Sequence, residues 1–354
     1  MSLSGRDAFL SVATEAVERG WLPDPAVRWG IRRLCAERLR QQAAAINDSG
    51  DSAALARFIC RLQAAEIAQV PEKANAQHYE VPADFFRLML GPRLKYSCCW
   101  WDDTVSSLAE AEDRSLRLTT HHAGVEDGMQ ILELGCGWGS LTLWLAHHFP
   151  RCSIVSVSNS AGQRTFIEAV ARERGLSNVS IVTADMNVFD TGRRFDRVVS
   201  VEMFEHMRNH SALLSRIARW LEPDGQLFVH VFCHRRFAYE FETEGAANWM
   251  GRHFFSGGLM PSADLLPAIP SPFDLVENWR WSGMHYARTS EAWLANLDAR
   301  RDEALHALQP ACGGGDAARW LLRWRIFLMA CAELFGYADG SEWGVAHYRF
   351  QLSR

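Results

Sequence analysis

Glu133-Leu134-Gly135-Cys136-Gly137-Trp138-Gly139 is the stretch whose reading decides the fold. The apolar run from Met129 to Leu134 predicts a strand, and Leu141 to His148 predicts a helix. Glycines between them let the backbone approach a ligand closely, and a helix N-terminus favours electron-rich groups. The spacing Gly135-x-Gly137-x-Gly139 leaves Ser140 where the dinucleotide fingerprint calls for glycine, so a nicotinamide cofactor is the weaker reading. A simple tight turn is the bland alternative. Further short β-branched runs, Ser153 to Val157, Val179 to Val182, Arg197 to Val201 and Gln226 to Val231, alternate with helical stretches. That alternation predicts an α/β fold with a parallel, doubly wound sheet covered by helices on both faces.

Such sheets bind ligands beyond the carboxyl ends of their strands. Glu133 ends the first strand. Ser158-Asn159-Ser160 with Gln163 follows the second, offering amides and hydroxyls to a ribose in place of an acid. Asp185, with Met186, follows the third and could accept from an adenine amino group or cap the next helix. After the fourth comes Glu202-Met203-Phe204-Glu205-His206, two acids and an imidazole beside the ligand site. Read alone, that string is also a good exposed helix start. It lacks the paired histidines of the helical zinc motif, and no metal is expected.

The 354 residues fit one α/β core with added helices: 48% are hydrophobic and 22% charged, an ordinary globular composition. A net charge of −5 gives no footprint for nucleic acid, and Arg32, Arg33, Arg38 and Arg40 read as a solvated helix face. Nine scattered cysteines without a CxxC pair suit a reducing cytoplasm. No run reaches the roughly 20 apolar residues of a membrane span, so stable membrane insertion is not expected. Residues 1–75 read as a helical segment in which Asp24-Pro25 starts a helix, 76–235 as the ligand-binding core, and 236–354 as an aromatic-rich lid with C-terminal helices completing the core. Oligomeric state stays open, a homodimer included.

The glycine loop, Ser158-Asn159-Ser160-x-x-Gln163, Ala184-Asp185 and Glu202-x-x-Glu205-His206 together resemble the S-adenosylmethionine methyltransferases related to cyclopropane-fatty-acid synthases. His78-Tyr79 through Phe85 and Leu94 through Cys99 look like that family's N-terminal signatures. Tyr96-Ser97-Cys98-Cys99, Val201 to Met207, Cys233-His234-x-x-Phe237-Ala238-Tyr239 and Phe335-Gly336-Tyr337 are most similar to the coclaurine N-methyltransferase group. The resemblance implies a class I methyltransferase fold with S-adenosylmethionine as cofactor, and adds Tyr79, Tyr96 and Ser97 to the cofactor residues. It further implies that Glu202, Glu205 and His206 surround a substrate nitrogen, with Phe255, Trp324 and Phe327 as an aromatic wall.

Methyl transfer to nitrogen needs an unprotonated lone pair. An alkyl amine with a pKa of roughly 10 costs about 4 kcal/mol to deprotonate at neutral pH. Carboxylates attract the ammonium and a neutral histidine can take its proton, which makes His206 the expected general base, with Glu202 and Glu205 positioning a small, aromatic-bearing amine such as a tetrahydroisoquinoline. Aromatic faces add cation–π attraction. The competing reading is lipid cyclopropanation. There the resemblance implies a bicarbonate held by cysteine, glutamate, histidine and tyrosine. Cys98 and Glu205 match the first two, the histidine position reads as Val231 with His230 one residue earlier, and the tyrosine position falls in Arg325-Ile326-Phe327. The synthases usually carry glycine where Glu202 stands. A cofactor-binding protein without turnover is the non-enzymatic alternative.

Overall fold

The computed structural model describes residues 3–46, 50–69, 81–312 and 316–354. The five expected runs are strands: β1 (Gln130–Leu134), β2 (Ser153–Ser158), β3 (Val179–Thr183), β4 (Phe195–Val201) and β5 (Leu221–His234). They pair in parallel, β1 between β2 and β4. Ile131 to Leu134 are all buried, as a strand covered on both faces requires. Helix Ser140–His148 follows β1 and helix Ala161–Glu173 follows β2, the latter capped by Ser160, whose Oγ accepts from Gln163 N–H.

The sheet is larger than the sequence predicts and is not wholly parallel. After the small separate pair β6 (Tyr239–Glu240) and β7 (Leu259–Met260), strands β8 (Phe273–Ser282) and β9 (Trp343–Leu352) extend it to the order β3-β2-β1-β4-β5-β9-β8. β9 runs antiparallel to both neighbours. Both strands lie in the stretch read as a helical lid. Their alternation is hidden because β9 points His347 and Arg349 to the same face as Val345, and β8 is mostly exposed at the sheet edge.

The N-terminal helices Leu3–Glu18 and Asp24–Ile46 are bound to the C-terminal ones by ion pairs. Glu18, 4% exposed, accepts from Trp249 Nε1, Arg319 and Arg323, and those partners hold its carboxyl down at about 2 despite the opposing effect of burial. Arg28 reaches Glu291 and Glu333, and Arg325 of helix Ala317–Phe335 reaches Asp24. Helices Gly283–Ala299 and Ala317–Phe335 thus roof the carboxyl end of the sheet. No helix among the described residues is long and apolar enough to cross a membrane.

Candidate active site

The order reverses at β1, whose neighbours β2 and β4 lead away on opposite sides, and a cavity opens beyond the carboxyl ends of these strands. Its floor is the glycine loop. Gly135 and Gly137 line it together with Asn159, Gln163, Asp185 and Met186, and the segment Leu94–Ser97 closes one side with Tyr96 and Ser97. Gln163 Nε2 is buried without a partner among the described residues, while its Oε1 accepts from Ser158 Oγ. Asp185 lines the cavity, and no helix follows it to cap: its Oδ1 accepts from Asn187 N–H within the turn after β3.

Four expectations are corrected or fall elsewhere. Gly139 stands outside the cavity, where a Cβ would come 2.7 Å from Ile167 Cγ1, so this glycine serves helix packing. Ser160 is the helix cap already described. Trp324 is fully buried behind Phe327, packed on Phe85, Phe86 and Phe254, and does not reach the cavity. Tyr79 lies outside the described residues. Glu133 lines the cavity with its carboxylate turned inward: Thr142 Oγ1 and Ser156 Oγ donate to Oε2, and burial raises its carboxyl to about 7.

Above the loop, the residues after β4 meet the aromatic roof. Glu202, Glu205, His206, Phe255 and Phe327 all face one space. His206 stacks on Phe255 with centroids 5.3 Å apart and planes 10° from parallel. Glu205 is 1% exposed, and its Oε2 has no hydrogen-bond partner among the described residues. Burial, then the nearby charge of Glu202, pushes its carboxyl well above the ordinary range.

Glu202 is held differently. Cys98 N–H donates to Oε1 at 3.0 Å, His230 Nε2 lies 3.1 Å from the same oxygen, and Tyr286 O–H donates to Oε2 at 2.6 Å. Burial raises its carboxyl, opposed chiefly by the Lys95 ammonium, which itself donates to Ser97 Oγ and Cys98 O. The backbone at Glu202 has φ +49°, in the left-handed region that suits glycine. His230 and Tyr286, rather than Val231 and Phe327, are the histidine and tyrosine that contact the Glu202 carboxylate. Strand periodicity carried the signal for the first: Phe228, His230 and Phe232 share one face of β5, while Val229 and Val231 face the other way. Nothing in sequence spacing marked Tyr286 or Lys95.

A family model for mycolic acid cyclopropane synthetase matches residues 68–341. The (S)-coclaurine N-methyltransferase of Thalictrum flavum subsp. glaucum is 35% identical over 350 residues, 98% of this chain and 97% of that one. The cyclopropane-fatty-acyl-phospholipid synthase of Escherichia coli (strain K12) is 29% identical over 82% of this chain and 72% of its own. Among solved structures, coclaurine N-methyltransferase bound to N-methylheliamine and SAH superposes with a TM-score of 0.91 at 34% identity, covering 95% of this chain and 98% of that one. The chain belongs to the mycolic acid cyclopropane synthetase family, within its coclaurine N-methyltransferase-like branch of S-adenosylmethionine-dependent N-methyltransferases.

Proposed function

We propose that this enzyme methylates the nitrogen of a tetrahydroisoquinoline-like amine. The observation that carries the reading is Glu205, a buried carboxyl with one oxygen unpartnered among the described residues, facing a cavity walled by Phe255 and Phe327. An apolar cavity with one unsatisfied acid is the complement of a hydrophobic cation. When bound, S-adenosylmethionine supplies the electrophilic methyl group. Gly135, Gly137, Tyr96 and Ser97 would hold its charged end, Asn159 and Gln163 its ribose, and Asp185 and Met186 its adenine.

The arriving ammonium favours ionisation of Glu205, whose carboxyl is held well above the ordinary range by burial and then by the nearby Glu202 charge. His206, next in the chain and fixed against Phe255, would take the amine proton and leave a free lone pair on the nitrogen. Glu202 stabilises the positive charge that remains on nitrogen. Because the Glu202 side chain already bonds Cys98 N–H, His230 Nε2 and Tyr286 O–H, those groups are not open to a free bicarbonate, which argues against cyclopropanation.

Mass spectrometry of a mixed amine panel, tetrahydroisoquinolines included, alongside unsaturated phospholipid vesicles tests the reading. Methylated amine with unchanged lipid is expected. Methylated or cyclopropanated acyl chains with no amine product would overturn it.

A further inference from the structure

Behind Glu202 lies a chain of three imidazoles that the amine chemistry leaves unused. His230 Nε2 is 3.1 Å from Glu202 Oε1, His230 Nδ1 is 2.7 Å from His347 Nε2, and His347 Nδ1 is 2.8 Å from His122 Nδ1. His230 and His347 are register partners on β5 and β9, and His122 ends helix Leu108–His122. The chain thus crosses one face of the sheet from the cavity toward its β8 edge. Trp281 packs edge-on to His230, and Trp279 of β8 lies flat on His122 with centroids 3.9 Å apart. His230 and His347 are fully buried, whereas His122 keeps 8% of its surface exposed. Three buried polar rings are a costly way to fill a core unless each is bonded to the next, as these are.

We propose that His230, His347 and His122 carry protons between Glu202 and solvent at the β8 edge while ligands fill the cavity. The balance closes without any other reactant. With Glu202 ionised, each ring donates its single N–H toward Glu202, which leaves His122 Nε2 as a bare acceptor. A proton arriving there moves His122 Nδ1–H to His347, His347 Nε2–H to His230 and His230 Nε2–H to Glu202, and all three bonds reverse direction. The reverse shift releases a proton outward. Burial keeps every ring neutral, with His122 lowered to about 4, as a relay of this kind requires.

Glu202 is faced by Lys95, Cys98, Glu205, His206, Tyr286 and Cys331, His230 by Lys95, and His122 by His121 and Arg349. The flanking cations Lys95 and Arg349 disfavour a lasting imidazolium, so the proton moves by paired transfers and does not rest on a ring. The use of the relay rests on the amine reading: Glu202 loses a proton outward as a cation enters and regains it as the product cation leaves, so the pocket's charge stays balanced.

Nitrogen-15 NMR of the histidine-labelled enzyme, titrated in pH, tests the relay without any substrate. The three rings are expected to change tautomer together as Glu202 titrates, and Glu202→Gln should fix them in one arrangement. Rings that keep their tautomers throughout would overturn the relay even if amines are methylated; concerted switching with no amine turnover would leave the relay standing and remove the amine reading. As a second variant, His122→Ala should slow the proton release that follows amine binding, read with a pH-indicator dye in stopped flow, by on the order of tenfold or more, and free imidazole should restore it. Unchanged release kinetics in that variant would count against the relay.

Discussion

Glu202 joins an unfavourable backbone to a fully bonded side chain. A non-glycine residue at φ +49° costs on the order of 1 kcal/mol, and it persists here because Cys98, His230 and Tyr286 fix the carboxylate from three elements. Glu202→Gly would relieve the backbone and empty an anion-shaped space among those donors. We expect amine methylation to fall by about a hundredfold or more, and added formate or bicarbonate to restore part of it; no recovery with either anion would show that the carboxylate works only through its tether. Glu205 and His206 belong to the same scale. Glu205→Ala and His206→Ala should remove transfer while leaving S-adenosylmethionine affinity within about threefold of the parent, since neither belongs to the proposed cofactor contacts. Calorimetric titration of the cofactor beside a turnover assay separates the two effects, and unchanged turnover in both variants would refute the assigned roles.

At the level of elements, the first five strands were legible because each holds a short run of β-branched and other apolar residues, and β1 to β4 end in or lead into polar residues that line the cavity. β8 and β9 were not, since their period of two is carried by Trp, His and Arg as much as by aliphatic side chains. Sequence likewise placed the glycine loop correctly but could not divide its labour. Gly137 has open space where a Cβ would be and lines the cavity, whereas Gly139 abuts Ile167 on helix Ala161–Glu173. Both have positive φ, so alanine strains either site. Gly139→Ala should therefore lower thermal stability, by about 2 kcal/mol or more, through the added clash. Gly137→Ala should cost about 1 kcal/mol in stability and lose more in cofactor affinity. Melting curves and cofactor titrations on the two variants check this crossed pattern. The site was readable to a similar degree: the acids after β4 announced themselves, while Trp324 looked like Phe327 in sequence and was separated from the cavity only by helix packing.

Across the whole molecule, buried histidines and buried carboxyls oppose one another in pH. His122, His210, His230, His234 and His347 are all buried, and burial lowers each below its usual 6.5, three of them to about 4. Their folded values are depressed, so the unfolded chain binds the extra protons and their stabilisation, complete above pH 6.5, is lost as pH falls toward 4. Glu112 and Glu133 are raised from 4.5 to about 7, with Glu202 and Glu205 shifted the same way. Here the folded state holds the proton, so stability is complete below pH 4.5 and declines as pH rises through about 7. Between these limits the histidines outnumber the carboxyls and stability climbs with pH; above 6.5 only the carboxyl slope remains. The ligand-free enzyme is therefore expected to melt highest near pH 6.5 and to lose stability on the alkaline side as well as in acid. Glu133→Gln, which keeps an amide within reach of Thr142 and Ser156, should remove up to about 3 kcal/mol of that alkaline loss and leave the acid limb in place. Melting temperatures of parent and variant from about pH 5 to about pH 8 decide the matter, because a parent whose stability keeps rising through this range would mean that Glu133 is ionised in the folded protein.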